Sequence, residues 1–182
     1  MSWFPAGERT HLLMSFKVGE KVVYPNHGVG VVEQITHNHF NGHADQFYLI
    51  RILSNNLRVT VPCLNADSVG LRRTIRASEV IGVLKCLENG KGDCVRDWKS
   101  RFKQNSEKMR TGSLYEVADV FKSLVALSTS KVLSFREKKM LERSRALLVA
   151  ELACVRNVSE PTIEQALAKS LGKSKLHLPP AD

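Results

Sequence analysis

Val31-Val32-Glu33-Gln34-Ile35-Thr36-His37-Asn38-His39-Phe40-Asn41-Gly42-His43-Ala44-Asp45-Gln46-Phe47-Tyr48-Leu49-Ile50-Arg51-Ile52-Leu53 is the stretch that decides the fold of the first part of this chain. Two runs rich in β-branched and aromatic residues, 31–40 and 47–53, flank Asn41-Gly42. That dipeptide accepts the positive φ angles of a tight hairpin turn, so the spacing predicts two antiparallel strands. Upstream, Val22, Val23 and Val29 surround a Pro25-Asn26-His27-Gly28 turn, which adds a strand before the hairpin. Downstream, Ser54-Asn55-Asn56 turns the chain into a further strand, where Leu57, Val59 and Val61 alternate with Arg58, Thr60 and Pro62. One face of that strand is expected inward, the other free for solvent or a partner, with Pro62 ending the pairing or lying at an edge. Four or five short strands in so few residues predict a small, strongly bent antiparallel sheet or barrel.

After about Arg73 the period becomes helical. Val80, Val83, Leu84 and Leu87 fall on one face, and Asn89-Gly90 is the expected stop. A polar loop over 91–96 precedes Asp97, an N-cap for a helix that stops at Gly112. Ser113-x-x-Glu116 and Ser134-x-x-Glu137 read as capping boxes. The first opens an amphipathic run through Leu114, Val117, Ala118, Phe121, Leu124 and Val125. The second opens a long helix with Leu141, Leu148, Leu152 and Val155 inward, and Ser159 is the expected cap of a last helix through Ile163, Leu167 and Leu171. The fold expected is α+β with two domains: a small antiparallel β domain over 16–75, then a compact bundle of about five α-helices over 76–182. Residues 1–15 read as a flexible tail, and Met14 is an alternative start because the ordered pattern begins at Phe16.

Composition narrows the function. The chain has 182 residues, 43% hydrophobic and 25% charged, which is the range of globular proteins. No apolar run reaches the roughly 18 residues of a membrane span, and residues 1–14 lack the pattern of a secretion signal, so the expected location is cytoplasmic, without a membrane partner. Cys63, Cys86, Cys94 and Cys154 show no C-x-x-C spacing and read as reduced thiols. His37, His39 and His43 could form a clip, but no fourth ligand is in sight, and no metal or other cofactor is expected. Paired carboxylates, a nucleophile set and a phosphate-cradling glycine loop are also missing, so an enzyme is not the reading. The net charge of +9 is uneven: residues 1–75 carry 7 Lys and Arg against 5 Asp and Glu, residues 76–182 carry 20 against 13. The second part is therefore the candidate for a polyanionic partner.

Within it, Asp97-Trp98-Lys99-Ser100-Arg101-Phe102-Lys103 is the most unusual segment. At about 100° per residue, Trp98, Phe102 and Met109 share a stripe flanked by Lys99, Lys103 and Arg110 on one side and Arg101 and Lys108 on the other. An aromatic wedge between cationic arms suits a distorted duplex, since cations neutralise phosphates while a ring stacks on parted bases. Backbone N–H groups at the same helix end would favour a phosphate too. The alternative packs Trp98 into the bundle with Phe102 and Met109, leaving the charges as a solvated rim. Arg136, Lys138, Lys139, Arg143 and Arg145 form a second basic cluster, either further phosphate contacts or an exposed face balanced by Glu137 and Glu142.

At these residues the chain resembles the CarD/CdnL family. Phe16-Lys17-Val18-Gly19-Glu20-Lys21-Val22-Val23-Tyr24-Pro25 with His27-Gly28-Val29-Gly30 is similar to the family's opening, a motif also found in the polymerase-binding module of transcription-repair coupling factors. Arg51-Ile52-Leu53, Pro62 and Ser68-Val69-Gly70-Leu71-Arg72 continue it. Trp98-x-x-Arg101-Phe102-Lys103, Thr111-Gly112-Ser113 and Leu133-Ser134-Phe135-Arg136-Glu137-Lys138-Lys139-Met140-Leu141 point to the CarD/CdnL type itself. The resemblance implies a Tudor-like N-terminal domain that binds the β subunit of RNA polymerase, with Asn38, Phe40, Arg58, Thr60 and Pro62 as the contact positions. It also implies a helical domain that meets promoter DNA, largely without sequence specificity, at the upstream edge of the bubble. Trp98 would wedge into the minor groove there and hold the open complex, with Arg101, Lys103 and Lys99 as phosphate contacts and Arg136, Lys138 and Lys139 beside them. A monomer is expected. Asn38 and Thr60 replace the basic or larger apolar residues of some relatives, and Ser100 stands where many carry a second arginine, which implies weaker contacts at both places. The rival readings are a non-specific architectural DNA-binding protein that acts without polymerase and a protein–protein adaptor with an acidic partner.

Overall fold

The computed structural model describes residues 15–40, 43–88 and 97–179, with side chains at 38–40, 43–45 and 98 outside that description. The tail over 1–14, the Asn41-Gly42 turn, the Asn89-Gly90 stop and the loop over 91–96 therefore lie outside the described residues.

Five strands, β1 (Lys21–Tyr24), β2 (Gly28–Phe40), β3 (His43–Ile52), β4 (Arg58–Pro62) and β5 (Arg72–Arg73), form an antiparallel sheet in the order β4-β3-β2-β1-β5. The long hairpin is built from β2 and β3, whose register runs from Gly30 opposite Ile52 to Phe40 opposite His43. A bulge between Val32 and Gln34 interrupts it, and such an extra residue increases local twist and bends the strand. Val32 and Ile35 thereby both face the core, in line with Ile50 and Tyr48 and with Val59 and Val61 on β4. Phe16 closes this core, its ring edge-on to Tyr48 at 5.5 Å and its amide donating to the Tyr48 hydroxyl at 3.2 Å.

Five helices follow: α1 (Val80–Glu88), α2 (Trp98–Thr111), α3 (Leu114–Ser130), α4 (Phe135–Arg156) and α5 (Glu160–Lys173). Their apolar faces meet in a second core that includes Val83, Leu87, Phe121, Leu124, Leu148, Leu152, Leu167 and Leu171. Asp97 caps α2, and Gly112, at φ 75°, ends it in the left-handed conformation. Ser134 and Glu137 close the capping box of α4.

Three expectations are corrected. Leu57 precedes β4 and is exposed, because its amide and carbonyl close the preceding turn with the Asn55 side chain and the Ile52 amide. Ser113 makes no side-chain cap, since Glu116 is taken by the Thr111 hydroxyl. Ser159 likewise caps only through its carbonyl, its hydroxyl pairing with that of Thr162.

Candidate nucleic-acid and protein interfaces

Sheet and bundle each present a surface. On the sheet, the face opposite the core carries Thr60, Leu49 and Gln34 in one line across β4, β3 and β2, and Pro62, Phe47 and Thr36 in the next. Thr60 is exposed, while Pro62, Phe47 and Leu49 are half-buried without belonging to the domain core. Asn38 and Phe40 follow on β2 at the same parity of the pleat, with their side chains outside the described residues. Arg58 joins this face through Glu33, whose carboxylate accepts from Arg58 at 2.8 Å and from Arg51 at 2.5 Å. The Arg58 and Arg51 hydrogen bonds hold the Glu33 carboxyl below its ordinary range, and the same pairing raises Arg58. Among the described residues β4 pairs only with β3, so its outer edge offers backbone N–H and C=O groups to a further strand. Apolar strand residues such as Phe47 and Leu49 are expected in the core by default; the pleat of β3, with Tyr48, Ile50 and Ile52 inward, turns both to the outer face.

The second surface is built where α2 and α4 begin. Ser134 accepts from the Glu137 amide, and Glu137 Oε2 accepts from the Ser134 amide at 2.9 Å and hydroxyl at 2.8 Å. Glu137 Oε1 also accepts from the Arg101 guanidinium at 2.7 Å, with the Lys131 ammonium 3.8 Å away. This ion pair is buried, Arg101 being 7% and Glu137 8% exposed. Burial works to raise the Glu137 carboxyl, but Arg101, the two Ser134 donors and Lys131 together bring it from 4.5 to about 2. The first turn of α2 is thereby pinned to the first turn of α4.

That geometry corrects the expectation for Arg101. Its guanidinium is paired inside the protein with Glu137 and points away from the outer surface, at 7% exposure. The bare helix end is corrected as well. Asp97 accepts from the Ser100 amide at 2.9 Å and the Ser100 hydroxyl at 2.8 Å, so a carboxylate of the chain already fills the anion position. Those backbone and hydroxyl bonds keep the Asp97 carboxyl below its usual range. Met109, on the stripe shared with Trp98 and Phe102, is buried in the bundle.

What remains outside is an aromatic and cationic surface. Lys99, Lys103, Arg136, Lys138 and Lys139 are exposed. Phe135 is 75% exposed, with the Lys139 ammonium 5.9 Å from its ring centre, and the adjacent Val132 is 87% exposed. Phe102 is half-buried beneath the Arg136 guanidinium, 6.0 Å from the ring. Between α2 and α4 lies a shallow groove of about 500 Å³, floored by Phe102, Met109, Phe135 and Met140 and rimmed by Arg136, Lys139 and Arg143. The α2 backbone begins at Trp98 beside this groove's first turn, and the Trp98 side chain lies outside the described residues. Phe135 was missed because an aromatic at the first helical position reads as a core anchor; its exposure depends on where α2 stops covering α4.

No helix of the described residues is long and apolar enough to cross a membrane. The described cysteines, Cys63, Cys86 and Cys154, are free thiols. Of the histidine clip, His37 is hydrogen-bonded across the hairpin to Gln46 at 2.9 Å, and the His39 and His43 side chains lie outside the described residues.

Comparison with known proteins matches both parts of the chain. Residues 16–75 match the description "CarD-like/TRCF RID domain" and residues 82–168 match "CarD, C-terminal domain". The Bacillus subtilis (strain 168) protein described as "Putative transcription factor YdeB" is 31% identical over 149 residues, spanning 82% of this chain and 97% of that protein. Among solved structures, "CdnLNt from Myxoccoccus xanthus" is 44% identical, covering 38% of this chain and 94% of that one, with a TM-score of 0.29. The class is therefore a two-part CarD-type protein, a Tudor-like β module followed by a helical module. The chain belongs to the CarD/CdnL family.

Proposed function

We propose that this chain is a transcription regulator that binds the RNA polymerase β subunit through residues 16–75 and promoter DNA through residues 76–182. It stabilises the open complex at the upstream edge of the bubble, and it acts in the cytoplasm as a monomer. The observation that carries the reading is the surface at the starts of α2 and α4: an exposed Phe135 and the Trp98 position, surrounded by Lys99, Lys103, Arg136, Lys138 and Lys139. Rings with a cationic surround are the chemistry that unstacked bases and their phosphates accept.

The sheet module brings the chain to polymerase by its outer face, Thr60, Pro62, Phe47 and Leu49, and by the open edge of β4. Once held there, modest DNA contacts operate at high local concentration. A ring that stacks only where base steps have parted favours the open promoter over the closed one. Stacking of about 1–3 kcal/mol per base corresponds to a shift of roughly 5- to 150-fold in the open-to-closed ratio.

Trp98→Ala and Phe135→Ala, assayed by open-complex decay after a heparin challenge, are expected to shorten the lifetime while polymerase capture stays at the wild-type level. Unchanged decay in both variants eliminates the stacking mechanism. Tight DNA binding with no effect of added polymerase would favour the architectural reading instead.

A further inference from the structure

The largest feature the proposed function leaves unused is the junction between the two modules. Arg72 lies on β5, paired to β1 opposite Val23. Its side chain leaves the sheet altogether. The Arg72 Nε donates to the Gly112 carbonyl at the end of α2, at 2.7 Å. Both terminal nitrogens grip Glu151 of α4, at 2.7 and 2.9 Å. Glu151 is 2% exposed and also accepts from the Ile75 amide at 3.0 Å, so this carboxylate ties together β5, the segment after it and the middle of α4. A bidentate guanidinium–carboxylate pair fixes orientation as well as distance, because both groups are planar.

A second lock lies beside it. Pro25, buried in the turn after β1, fits between Gly70 of the sheet module and Gly112 of the bundle. A Cβ at either glycine would come within 2.9 Å of the Pro25 ring, so neither position accepts a side chain as packed. Further along α4, Leu147 approaches Gly28 and Arg143 donates to the Asn26 carbonyl. These contacts join the turn after β1 and the β5 segment to α2 and α4, the two helices whose first turns carry the basic aromatic surface. Sixteen residues separate Phe135 from Glu151, about 24 Å of helix at 1.5 Å per residue. α4 is thus held to the sheet module along its middle, from Arg143 to Glu151, and carries the proposed DNA-facing groups on its first turn.

We infer that Arg72 and Glu151 are positioning residues that clamp the two modules into one body and set where the Trp98–Phe135 surface lands relative to the polymerase-bound sheet. This rests on the function proposed above. A merely flexible tether would spread the surface over many positions on DNA; a clamped one holds it at a single reach, which raises its effective concentration at the bubble edge and lowers it elsewhere. The clamp therefore acts on the placement of the DNA contact and on neither binding surface directly.

The test uses the full chain with Arg72→Gln and, as a milder variant that keeps the positive charge but loses the two-pronged grip, Arg72→Lys. Four properties are compared with wild type: helix content, polymerase capture, the maximum dimension from small-angle X-ray scattering, and open-complex lifetime. The expected result is retained helix content and capture, a broadened scattering envelope, and a lifetime shortened roughly tenfold in Arg72→Gln and less in Arg72→Lys. Footprints of the variants on promoter DNA should lose their sharp upstream edge. An unbroadened envelope in Arg72→Gln, or a broadened one with a wild-type lifetime, overturns the clamp. If Arg72→Gln does not fold, Arg72→Lys decides by the same criteria. A wild-type chain that neither captures polymerase nor lengthens the lifetime overturns the functional proposal, and this one with it.

Discussion

Glu137→Gln is the substitution that most directly tests how the proposed DNA-facing surface is assembled. The glutamate is 8% exposed and holds Arg101, itself 7% exposed, at 2.7 Å. With the carboxyl brought from 4.5 to about 2, the difference between folded and unfolded states amounts to about 3 kcal/mol at neutral pH, at 1.36 kcal/mol per unit. Seen from the arginine, the same loss is that of a stranded buried cation, typically about 3–5 kcal/mol, which agrees in size and is not added to it. For a chain of this size 1 kcal/mol moves the melting midpoint by about 2–4 °C, so Glu137→Gln should melt roughly 6–12 °C below wild type at pH 7. The sign of the pH dependence follows from the depressed carboxyl. Its stabilisation is present above the ordinary value of 4.5 and is lost as pH falls toward about 2, so the gap between variant and wild type should close across that window. Melting followed by circular dichroism from pH 7 down to pH 2 reads both quantities. A variant within 1 °C of wild type at pH 7, or a gap that stays constant through the acid range, would refute the buried-pair argument.

Other substitutions separate the surface from its scaffold. Lys103→Ala and Lys138→Ala should each flatten the slope of log affinity against log salt by about 1 for duplex DNA without lowering the melting midpoint, while Arg101→Ala should do the reverse. Ser134→Ala should cost about 1 kcal/mol in denaturant unfolding, and Ser113→Ala close to nothing, because only Ser134 makes the side-chain cap. Phe47→Asp on the outer face of the sheet should abolish polymerase capture with the melt unchanged; a lowered melt would mean that Phe47 serves the core instead.

Local rules were legible from the chain alone. The two β-rich runs around Asn41-Gly42 became β2 and β3, the Ser134-x-x-Glu137 box closed as spaced, and Gly112 ended α2 in the left-handed conformation that its missing Cβ permits. Each of these depends on neighbours within a few positions, so sequence spacing carries the information.

Which side chains of that region face outward was settled only by packing. Arg101 and Lys103 are both cations near one helix start, yet one is sealed against Glu137 at the start of α4 and the other is exposed, because only Arg101 faces that carboxylate. Phe135 and Phe121 are both aromatics on helical faces, and the surrounding helices cover one and leave the other bare. The bulge after Val32 turned Ile35 toward the core and Gln34 and Thr36 away from it, and Arg72 found a carboxylate 79 residues away. The amino-acid order determined the elements, their ends and the uneven charge. The tertiary structure alone decided which cations are sealed against internal partners and which stay exposed, since that choice depends on distances between groups far apart along the chain.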